Sequence, residues 1–407
     1  MAEAVIVAAA RTPIGRAFKG SLVSARPDDL ATGVIRAALD QVPGLDPTTI
    51  EDLYLGCAEP WGEHGFNLAR VVSVLLGLDN LPGATINRFC ASSVQTTRQA
   101  FHAIKAGEGD VFLSAGVEAV SRYADFAGAG GGKESWRNPL FAEAVERGAQ
   151  TARTNATWTD PRETGALPDV YLAMGQTAEN VATSLGISRE RQDEWGVTSQ
   201  NRAEAAIAAG VFEREIAPVT LADGTVVSKD DGPRAGVTIE KVSTLQPVFR
   251  EQGTVTAGNC CPLNDGAAAL VVMSDTRARE LGLTPLARVV ATGVSALSPE
   301  IMGLGPIEAS KQALARAGMS INDLDLYEIN EAFAVQVLGS ADALGMDYDK
   351  LNVHGGAIAL GHPFGATGAR ITTTLLNALR THDGQFGLET MCVGGGQGMA
   401  IIFERLS

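Results

Sequence analysis

Apolar runs and amphipathic stretches alternate along much of the chain. Short runs rich in β-forming residues predict strands at residues 4–9, 52–56 and 110–116. Stretches with helical periodicity follow them at residues 28–40, 65–76 and 92–106. This alternation predicts a layered α/β domain with much parallel sheet.

The pattern changes between residues 121 and 252, which are polar and rich in turn-forming residues. Only two helices interrupt this stretch, at residues 175–185 and 189–209. Regular patterning then returns, with apolar strand-like runs at residues 267–274, 287–294, 324–329, 386–396 and 399–404. The predicted organisation is a first half of residues 1–120 plus 253–275, an insertion of 121–252, and a second half of 276–407. The two halves have similar patterns, and the chain has no short fixed repeat.

Charge and apolar content narrow the possible partners. The 407 residues include 32 basic and 47 acidic side chains, a formal net charge of −15. That charge opposes binding to nucleic-acid phosphates and to anionic membrane surfaces. The longest apolar runs are far shorter than the roughly 18 residues of a membrane helix, and the first run reads as a strand rather than a signal peptide. We expect a cytoplasmic protein without nucleic-acid partners or membrane insertion.

The cysteines and glycine-rich stretches exclude several kinds of site. The five cysteines are scattered at Cys57, Cys90, Cys260, Cys261 and Cys392. This pattern predicts neither a disulfide framework nor a zinc site. The stretch 128–135 lacks the Ser or Thr that must follow Lys133 in a phosphate-binding loop, and Met399 breaks a dinucleotide fingerprint around residues 394–398. The glycosylation sequon at Asn155 has meaning only in a secreted protein. We expect no bound metal.

Cys90 is the first candidate for chemistry. It directly precedes the predicted helix 92–106, whose first residues are small. A thiol at this position lies near unpaired N–H groups at the positive end of the helix dipole, which favours the thiolate. The alternative is a buried structural cysteine, and the segment alone favours neither.

Three more polar residues occur at predicted strand ends or helix starts. His362 lies in a turn framed by glycines, whereas His354 in the same stretch reads as a structural hydrogen-bonding residue. Cys392 ends a strand and is followed by three glycines whose N–H groups can face an oxyanion, although the glycines can also serve tight packing. Asn330 and Glu331 follow another strand, where a helix cap is the alternative. Together a thiol, a base and exposed amides suit acyl transfer through a thioester.

The chain resembles the thiolase family from end to end. The motifs that carry this resemblance are VIVAAARTPIGR, NRFCASS, MGQTAENVA, GTVTAGNCCPLNDGAAA, NEAFA, GGAIALGHPFGATGAR and CVGGGQG, in that order. The resemblance implies a five-layered αβαβα fold of two similar halves, with a loop domain inserted in the first half. It also implies an enzyme that exchanges acyl groups between coenzyme A (CoA) and a cysteine.

The resemblance assigns roles to the motif residues. Cys90 is the acylated nucleophile, His362 activates its thiol, and Cys392 is a second acid and base. Asn330 holds a water that forms one oxyanion hole with His362, and the N–H groups of Cys90 and Gly394 form the other. No permanently bound cofactor is implied, and CoA is a substrate.

The residues expected to contact substrate and CoA lie in the same motifs and in the insertion. They are Met174, Ala257, Cys261, Pro262, Ala332, Phe333 and the insertion cation Arg234, with Lys241 as a further cation candidate. Short-chain biosynthetic members commonly have Ser and Gly at the positions of Cys261 and Pro262, and His at Ala173. These departures favour a bulkier 3-ketoacyl group and the degradative direction.

The resulting hypothesis is a homodimeric or homotetrameric thiolase that cleaves 3-ketoacyl-CoA to acetyl-CoA and a shortened acyl-CoA. Three alternatives stay open. One is a short-chain acetyl-CoA acetyltransferase, the second is a condensing ketoacyl synthase, and the third is a thiolase-like lipid-binding protein without turnover.

Overall fold

The computed structural model describes residues 2–126 and 137–407, in which twelve strands and twelve α-helices alternate. The strands are β1 (Ala4–Arg11), β2 (Gly15–Arg16), β3 (Asp52–Gly56), β4 (Gly83–Ile86), β5 (Val111–Ala119), β6 (Val219–Thr220), β7 (Val226–Val227), β8 (Asn264–Ser274), β9 (Ala287–Ala296), β10 (Leu326–Ile329), β11 (Phe386–Val393) and β12 (Gln397–Arg405). The helices are α1 (Pro27–Leu39), α2 (Leu68–Leu75), α3 (Ser92–Ala106), α4 (Ala142–Thr154), α5 (Met174–Leu185), α6 (Arg189–Ala208), α7 (Ile239–Val242), α8 (Asp275–Glu280), α9 (Gly305–Ala317), α10 (Ala334–Leu344), α11 (Ala357–Leu360) and α12 (Thr367–Thr381). No helix among these residues is both long and apolar enough to cross a membrane.

Ten strands form one mixed sheet in the order β10, β11, β12, β9, β1, β8, β5, β3, β4, with β2 paired to β8. Within the described chain, parallel pairing is limited to β3 with β4 and β5, and to β10 with β11. The expected parallel pairing is therefore present but confined to these strands, and the sheet as a whole is mixed. β12 follows β11 after a turn of three glycines and runs antiparallel to it. β8 lies between β1 and β5 and runs antiparallel to both.

Helices cover the outer faces of the sheet and fill the space between its two halves. One apolar cluster packs α1 and α2 against β1, β3, β5 and β8. A second lies between the two halves around α3 and α12, and a third packs α9, α10 and α5 against the strands of the second half. Because both faces of the sheet are buried, strands such as β1 carry apolar side chains on both faces up to the final Arg11, rather than alternating apolar and polar residues. The predicted five-layered architecture is confirmed.

Most predicted elements are present, with one late helix start. The helix expected from residue 65 begins at Leu68, because Phe66 and Asn67 adopt left-handed φ angles of 56° and 49°. Between β5 and β8 the described residues form α4–α7 and the small β6–β7 ladder and add no strand to the main sheet. The division of the chain into two halves and an insertion stays a prediction.

The two helices of the middle layer approach each other through residues without bulky side chains. A Cβ at Gly116 on β5 would lie 2.1 Å from the carbonyl oxygen of Gly365 and 2.7 Å from Cβ of Ser93. A Cβ at Gly368 on α12 would lie 2.3 Å from the backbone nitrogen of Val94 on α3. Backbone contact between the two halves therefore depends on these glycines.

We predict that Gly116→Ala lowers the free energy of unfolding by about 1–3 kcal/mol, because the added methyl group overpacks this contact. Urea unfolding measures the change. Gly33→Ala on α1 is the matched control, since a Cβ there meets nothing within 4 Å, and it should stabilise the helix by up to about 1 kcal/mol. Equal effects of the two substitutions would contradict this account.

Candidate active site

Cys90 lies in a 3₁₀ turn, Phe89–Ala91, that leads directly into α3. Phe89 adopts a φ of 44°, which is costly for an aromatic residue. Two side chains hold the turn: Asn87 Oδ1 accepts the Phe89 N–H at 2.9 Å, and the Ser92 hydroxyl donates to the Phe89 carbonyl at 2.6 Å. The backbone N–H groups of Gly394 and of Cys90 itself act to lower the pKa of this thiol.

Burial controls the charge of this thiol. It raises the pKa of Cys90 to about 12, and the N–H groups of Gly394 and Cys90 oppose this rise only in part. The position at the start of α3 favours the thiolate, but burial has the larger effect on this pKa. The Cys90 thiol is therefore neutral at neutral pH.

His362 lies between α11 and α12 and supplies a neutral imidazole. Burial, with a smaller contribution from the charge of Arg370, lowers the pKa of His362 to about 3. The His362 N–H donates to Asn264 Oδ1 at 2.9 Å, and ring Nδ1 lies 2.6 Å from Thr367 Oγ1. Asn330 Nδ2 lies 3.3 Å from ring Nε2. At neutral pH this ring carries no charge and can accept a proton.

A buried carboxylate holds the loop that follows His362. Glu118 accepts the N–H of Gly365 at 2.8 Å, the N–H of Ala58 at 2.7 Å and the hydroxyl of Tyr123 at 2.5 Å. Burial raises the pKa of Glu118, and these hydrogen bonds oppose that rise. The same segment contacts the Cys90 region, where the Ala369 N–H donates to the Ser93 hydroxyl at 3.0 Å. These bonds connect the His362 loop to the start of α3, next to Cys90.

Cys392 and Asn330 are the other two predicted site side chains near Cys90 and His362. Cys392 is buried near the end of β11, and burial together with nearby Cys90 keeps the pKa of Cys392 well above its usual range. Asn330 follows β10, and its backbone N–H donates to Thr390 at 3.1 Å. Its side-chain Oδ1 is buried and has no hydrogen-bond partner among the described residues. An acceptor is therefore available beside the imidazole of His362.

Glu331, next to Asn330, is not a helix cap. Its carboxylate accepts hydrogen bonds from the side chains of Trp195, Ser199 and Asn352 at 3.1, 2.6 and 2.9 Å, and from the N–H of Ile358 at 3.1 Å. It therefore connects α6 of the inserted segment to the second half.

A cavity of about 150 Å³ is lined by four of the predicted binding residues, Arg234, Ala257, Cys261 and Pro262. The thiol of Cys261 is close enough to Cys90 and Cys392 to interact with them electrostatically. The cavity wall thus lies near the thiols of Cys90 and Cys392. Cys260 also lines this cavity.

The other predicted contacts lie in the apolar cluster beside the cavity. The Cys261 N–H donates to the Ala332 carbonyl at 3.1 Å, and the rings of Phe333 and Phe249 are 6.0 Å apart. Met174, the first residue of α5, packs against the same cluster. These three residues are placed behind the cavity wall rather than on it.

Two arginines, Arg16 and Arg234, line the cavity. Arg234 is exposed and its backbone N–H donates to Gln200 at 3.0 Å, whereas Arg16 on β2 is half-buried. Neither guanidinium forms an ion pair within the described ranges. Lys241 does not line the cavity, and its ammonium donates to the Gly236 carbonyl at 3.2 Å.

The remaining sequence motifs have structural roles or lie outside the described residues. His354 bonds His382 at 3.3 Å, and Asn155 ends α4 with a φ of 48°. The glycine-rich stretch 128–135 with Lys133 lies outside the described residues. All five cysteines are free, and no three metal-ligating side chains of the described chain are grouped for an ion.

Sequence reasoning missed Arg16, Glu118 and Thr367. Arg16 ends the first motif, VIVAAARTPIGR, and nothing in that motif marks it as a cavity residue. Thr367 follows His362 by five residues, one more than the i+4 spacing of helical contacts, so the local sequence does not indicate its contact with the ring. Nothing in the local sequence of β5 indicates that Glu118 bonds a loop 247 residues further along the chain.

Comparison with known proteins identifies the family. Residues 4–276 match the model of the thiolase N-terminal domain, and residues 283–405 match that of the thiolase C-terminal domain. The chain belongs to the thiolase family. The enzyme class predicted from the motifs, an acyltransferase, is thereby confirmed.

Individual members of the family are similar over their full length. A 3-ketoacyl-CoA thiolase of Bacillus subtilis is 40% identical over 99% of this chain and 100% of its own length. A Bacillus anthracis acetyl-CoA acetyltransferase is 37% identical with a TM-score of 0.86, over 100% of this chain and 99% of that one. Human mitochondrial 3-ketoacyl-CoA thiolase in complex with CoA is 36% identical with a TM-score of 0.85, over 99% of this chain and 98% of that one.

We predict that Cys90 shows no thiolate absorbance between about pH 6 and pH 9, because its pKa of about 12 lies above that range. The measurement is the ultraviolet difference between the wild type and Cys90→Ser across a pH titration. A step in this difference centred near neutral pH would show that the helix dipole, not burial, sets the charge.

Proposed function

We propose that the protein cleaves 3-ketoacyl-CoA to acetyl-CoA and a shortened acyl-CoA through an acyl-cysteine, with the degradative direction as its role. The observation that carries this proposal is the proximity of two thiols, Cys90 and Cys392, close enough to interact electrostatically, with the Gly394 N–H acting on Cys90. A neutral imidazole, His362, lies on the adjoining loop. The name of the Bacillus subtilis relative supports the same reaction.

The first half-reaction starts from a neutral pair. His362 takes the proton of the Cys90 thiol as its sulfur attacks the 3-keto carbon, so an unpaired buried thiolate is never formed at rest. The Cα–Cβ bond then breaks, and its electrons form the enolate of acetyl-CoA. His362, now protonated, and a water on Asn330 stabilise the enolate oxygen, while Cys392 gives its proton to the carbon.

The second half-reaction restores the protons of Cys392 and Cys90. Cys392, left as a thiolate, takes the proton of an incoming CoA thiol, which attacks the acyl group on Cys90. The N–H groups of Cys90 and Gly394 stabilise the negative oxygen of the tetrahedral intermediate. The Cys90 sulfur leaves and recovers its proton from His362. The side chains and backbone amides supply each step, so we propose no permanently bound cofactor.

We propose that Arg234 and Arg16 hold the anionic groups of CoA at the cavity. The protein has a net charge of −15, so its overall field opposes binding of the CoA phosphates, and local unpaired cations must offset it. Arg234 and Arg16 line the cavity that also contains Cys261, which places positive charge at the route to the thiols. Lys241 is a weaker candidate, because its ammonium bonds a backbone carbonyl instead.

We also propose a homodimer or homotetramer that acts in the cytoplasm. The edge strand β4 pairs only with β3 in the described sheet, and nearby Phe66 is 96% exposed while Val74 is 50% exposed. A second copy would cover this edge and these apolar side chains. A reducing compartment suits an enzyme whose Cys90 and Cys392 must remain thiols.

We predict that Cys90→Ser abolishes the covalent acyl-enzyme formed with acetyl-CoA, measured as a mass increase on the intact protein. Cys260→Ser, a substitution of another cavity cysteine, is the matched control and should be labelled like the wild type. Full labelling of Cys90→Ser would contradict the assignment.

Thiolysis rates with acetoacetyl-CoA and with a long-chain 3-ketoacyl-CoA then decide the substrate. A preference for acetoacetyl-CoA favours the acetyltransferase alternative, and no turnover favours a binding protein.

We predict that Arg16→Ala and Arg234→Ala each raise KM for CoA about fivefold, since a partly exposed charge contact contributes about 1 kcal/mol. The rate constant kcat should change little, because both residues are assigned to binding alone. Lys311→Ala on the exposed face of α9 removes the same charge away from the cavity and should leave KM unchanged. Equal KM values in all three variants would contradict the proposal.

A further inference from the structure

Thr367 connects the imidazole of His362 to the backbone of its own loop. Ring Nδ1 lies 2.6 Å from Thr367 Oγ1, and the same hydroxyl donates to the Pro363 carbonyl at 2.9 Å. Both side chains are buried, with 1% of His362 and 0% of Thr367 exposed. Solvent therefore cannot replace this contact.

A count of protons gives the direction of each hydrogen bond. A hydroxyl has one proton and two lone pairs. Because Thr367 gives its proton to the carbonyl four residues earlier, its oxygen accepts from Nδ1–H. A neutral imidazole has a single N–H, so Nε2 then keeps its lone pair. The amide nitrogen of Asn330, a donor, lies 3.3 Å from Nε2 and 3.5 Å from Nδ1. A lone pair on Nε2 can accept from this amide, whereas a protonated Nδ1 cannot, so its position is compatible with this arrangement.

Other groups around the ring do not replace the hydroxyl. Arg370, the charged group that affects the ring most, favours its neutral form. The Asn264 side chain bonds the backbone N–H of His362 rather than the ring. No carboxylate of the described residues bonds either ring nitrogen, so the Thr367 hydroxyl is the partner that distinguishes Nδ1 from Nε2.

We infer that Thr367 is a positioning residue that holds His362 in the tautomer with a free Nε2, ready to take the Cys90 proton. Without the hydroxyl, a buried Nδ1–H loses its acceptor, and the tautomer that carries its proton on Nε2 becomes favoured. That tautomer cannot act as a base at Nε2. The inference rests on the proposed roles of His362 and Cys90.

Alkylation of Cys90 by iodoacetamide, followed by mass spectrometry, measures activation of the thiol without CoA or turnover. In the wild type we expect a rate that changes little between about pH 6 and pH 9, because a neutral base assists the neutral thiol. In Thr367→Val we expect the rate at neutral pH to fall about 10- to 100-fold. The remaining reaction needs free thiolate and should rise about tenfold per pH unit below the thiol pKa.

Two variants show whether the effect belongs to the hydroxyl at this position. Thr367→Ser keeps the hydroxyl and should restore the flat profile. Thr373→Val removes a buried hydroxyl that bonds the Ala369 carbonyl at 2.8 Å on the same helix, and its profile should match the wild type. A merely structural role for Thr367 would lower stability without changing the slope against pH, and that result would overturn the inference.

His362→Ala separates failure of this inference from failure of the proposed base. If His362→Ala gives the steep profile while Thr367→Val stays flat, the inference about Thr367 is wrong. If His362→Ala also stays flat, the proposed base is wrong and the inference fails with it. Should Thr367→Val not fold, ¹⁵N NMR of the histidine-labelled wild type decides the question. A free Nε2 on His362 supports the inference, and a protonated Nε2 on the neutral ring overturns it.

Discussion

The carbonyl oxygen of Gly365 lies only 2.1 Å from the position that a Cβ of Gly116 would take. A Cβ of Gly368 would lie 2.3 Å from the backbone nitrogen of Val94 on α3. The site depends on this close approach. Cys90 precedes α3 in the first half, and His362 precedes α12 in the second, so neither half holds both groups. Glycines at the contact let the backbones at the starts of α3 and α12 pack directly against each other. Glu118 holds the His362 loop by accepting a hydrogen bond from the Gly365 N–H. A chain with alanine at these contacts would hold the base too far from the thiol.

The same tight packing determines the charge state of the site. Dehydration raises the pKa of Cys90 to about 12 and lowers that of His362 to about 3, so both groups rest uncharged. A neutral pair is the lower-energy state in an apolar interior, since an ion pair would have to offset the desolvation of two charges. In the proposed mechanism, charge develops only during attack on the substrate, where the N–H groups of Cys90 and Gly394 would stabilise it. Protein groups in fixed positions can stabilise that charge without reorganising.

Local sequence indicated the candidate side chains but not their surroundings. Cys90, His362 and Cys392 could be proposed as site residues because each lies beside small residues at the end of a strand or the start of a helix, and this signal is local. The pKa of Cys90 could not be predicted, because it depends on burial by segments hundreds of residues away. The late start of α2 follows from left-handed φ angles at Phe66 and Asn67, which no pattern of apolar residues reveals. Strand direction was predicted poorly for a similar reason, because the direction of β8 depends on its pairing with β1 and β5, which are distant in the sequence.

The two halves use one equivalent connection for different purposes. In each half a central helix is followed by a strand, α3 by β5 and α12 by β11, and the next strand of the main sheet pairs with it in antiparallel fashion. In the second half this connection is the turn of three glycines after Cys392, short enough to place the Gly394 N–H at the thiol. In the first half it is the long stretch between β5 and β8, from which Arg234, Ala257 and Cys261 line the cavity. In the proposed mechanism the short connection therefore supplies the Gly394 N–H at the reacting thiol, and the long connection supplies the wall along which an acyl-CoA would enter.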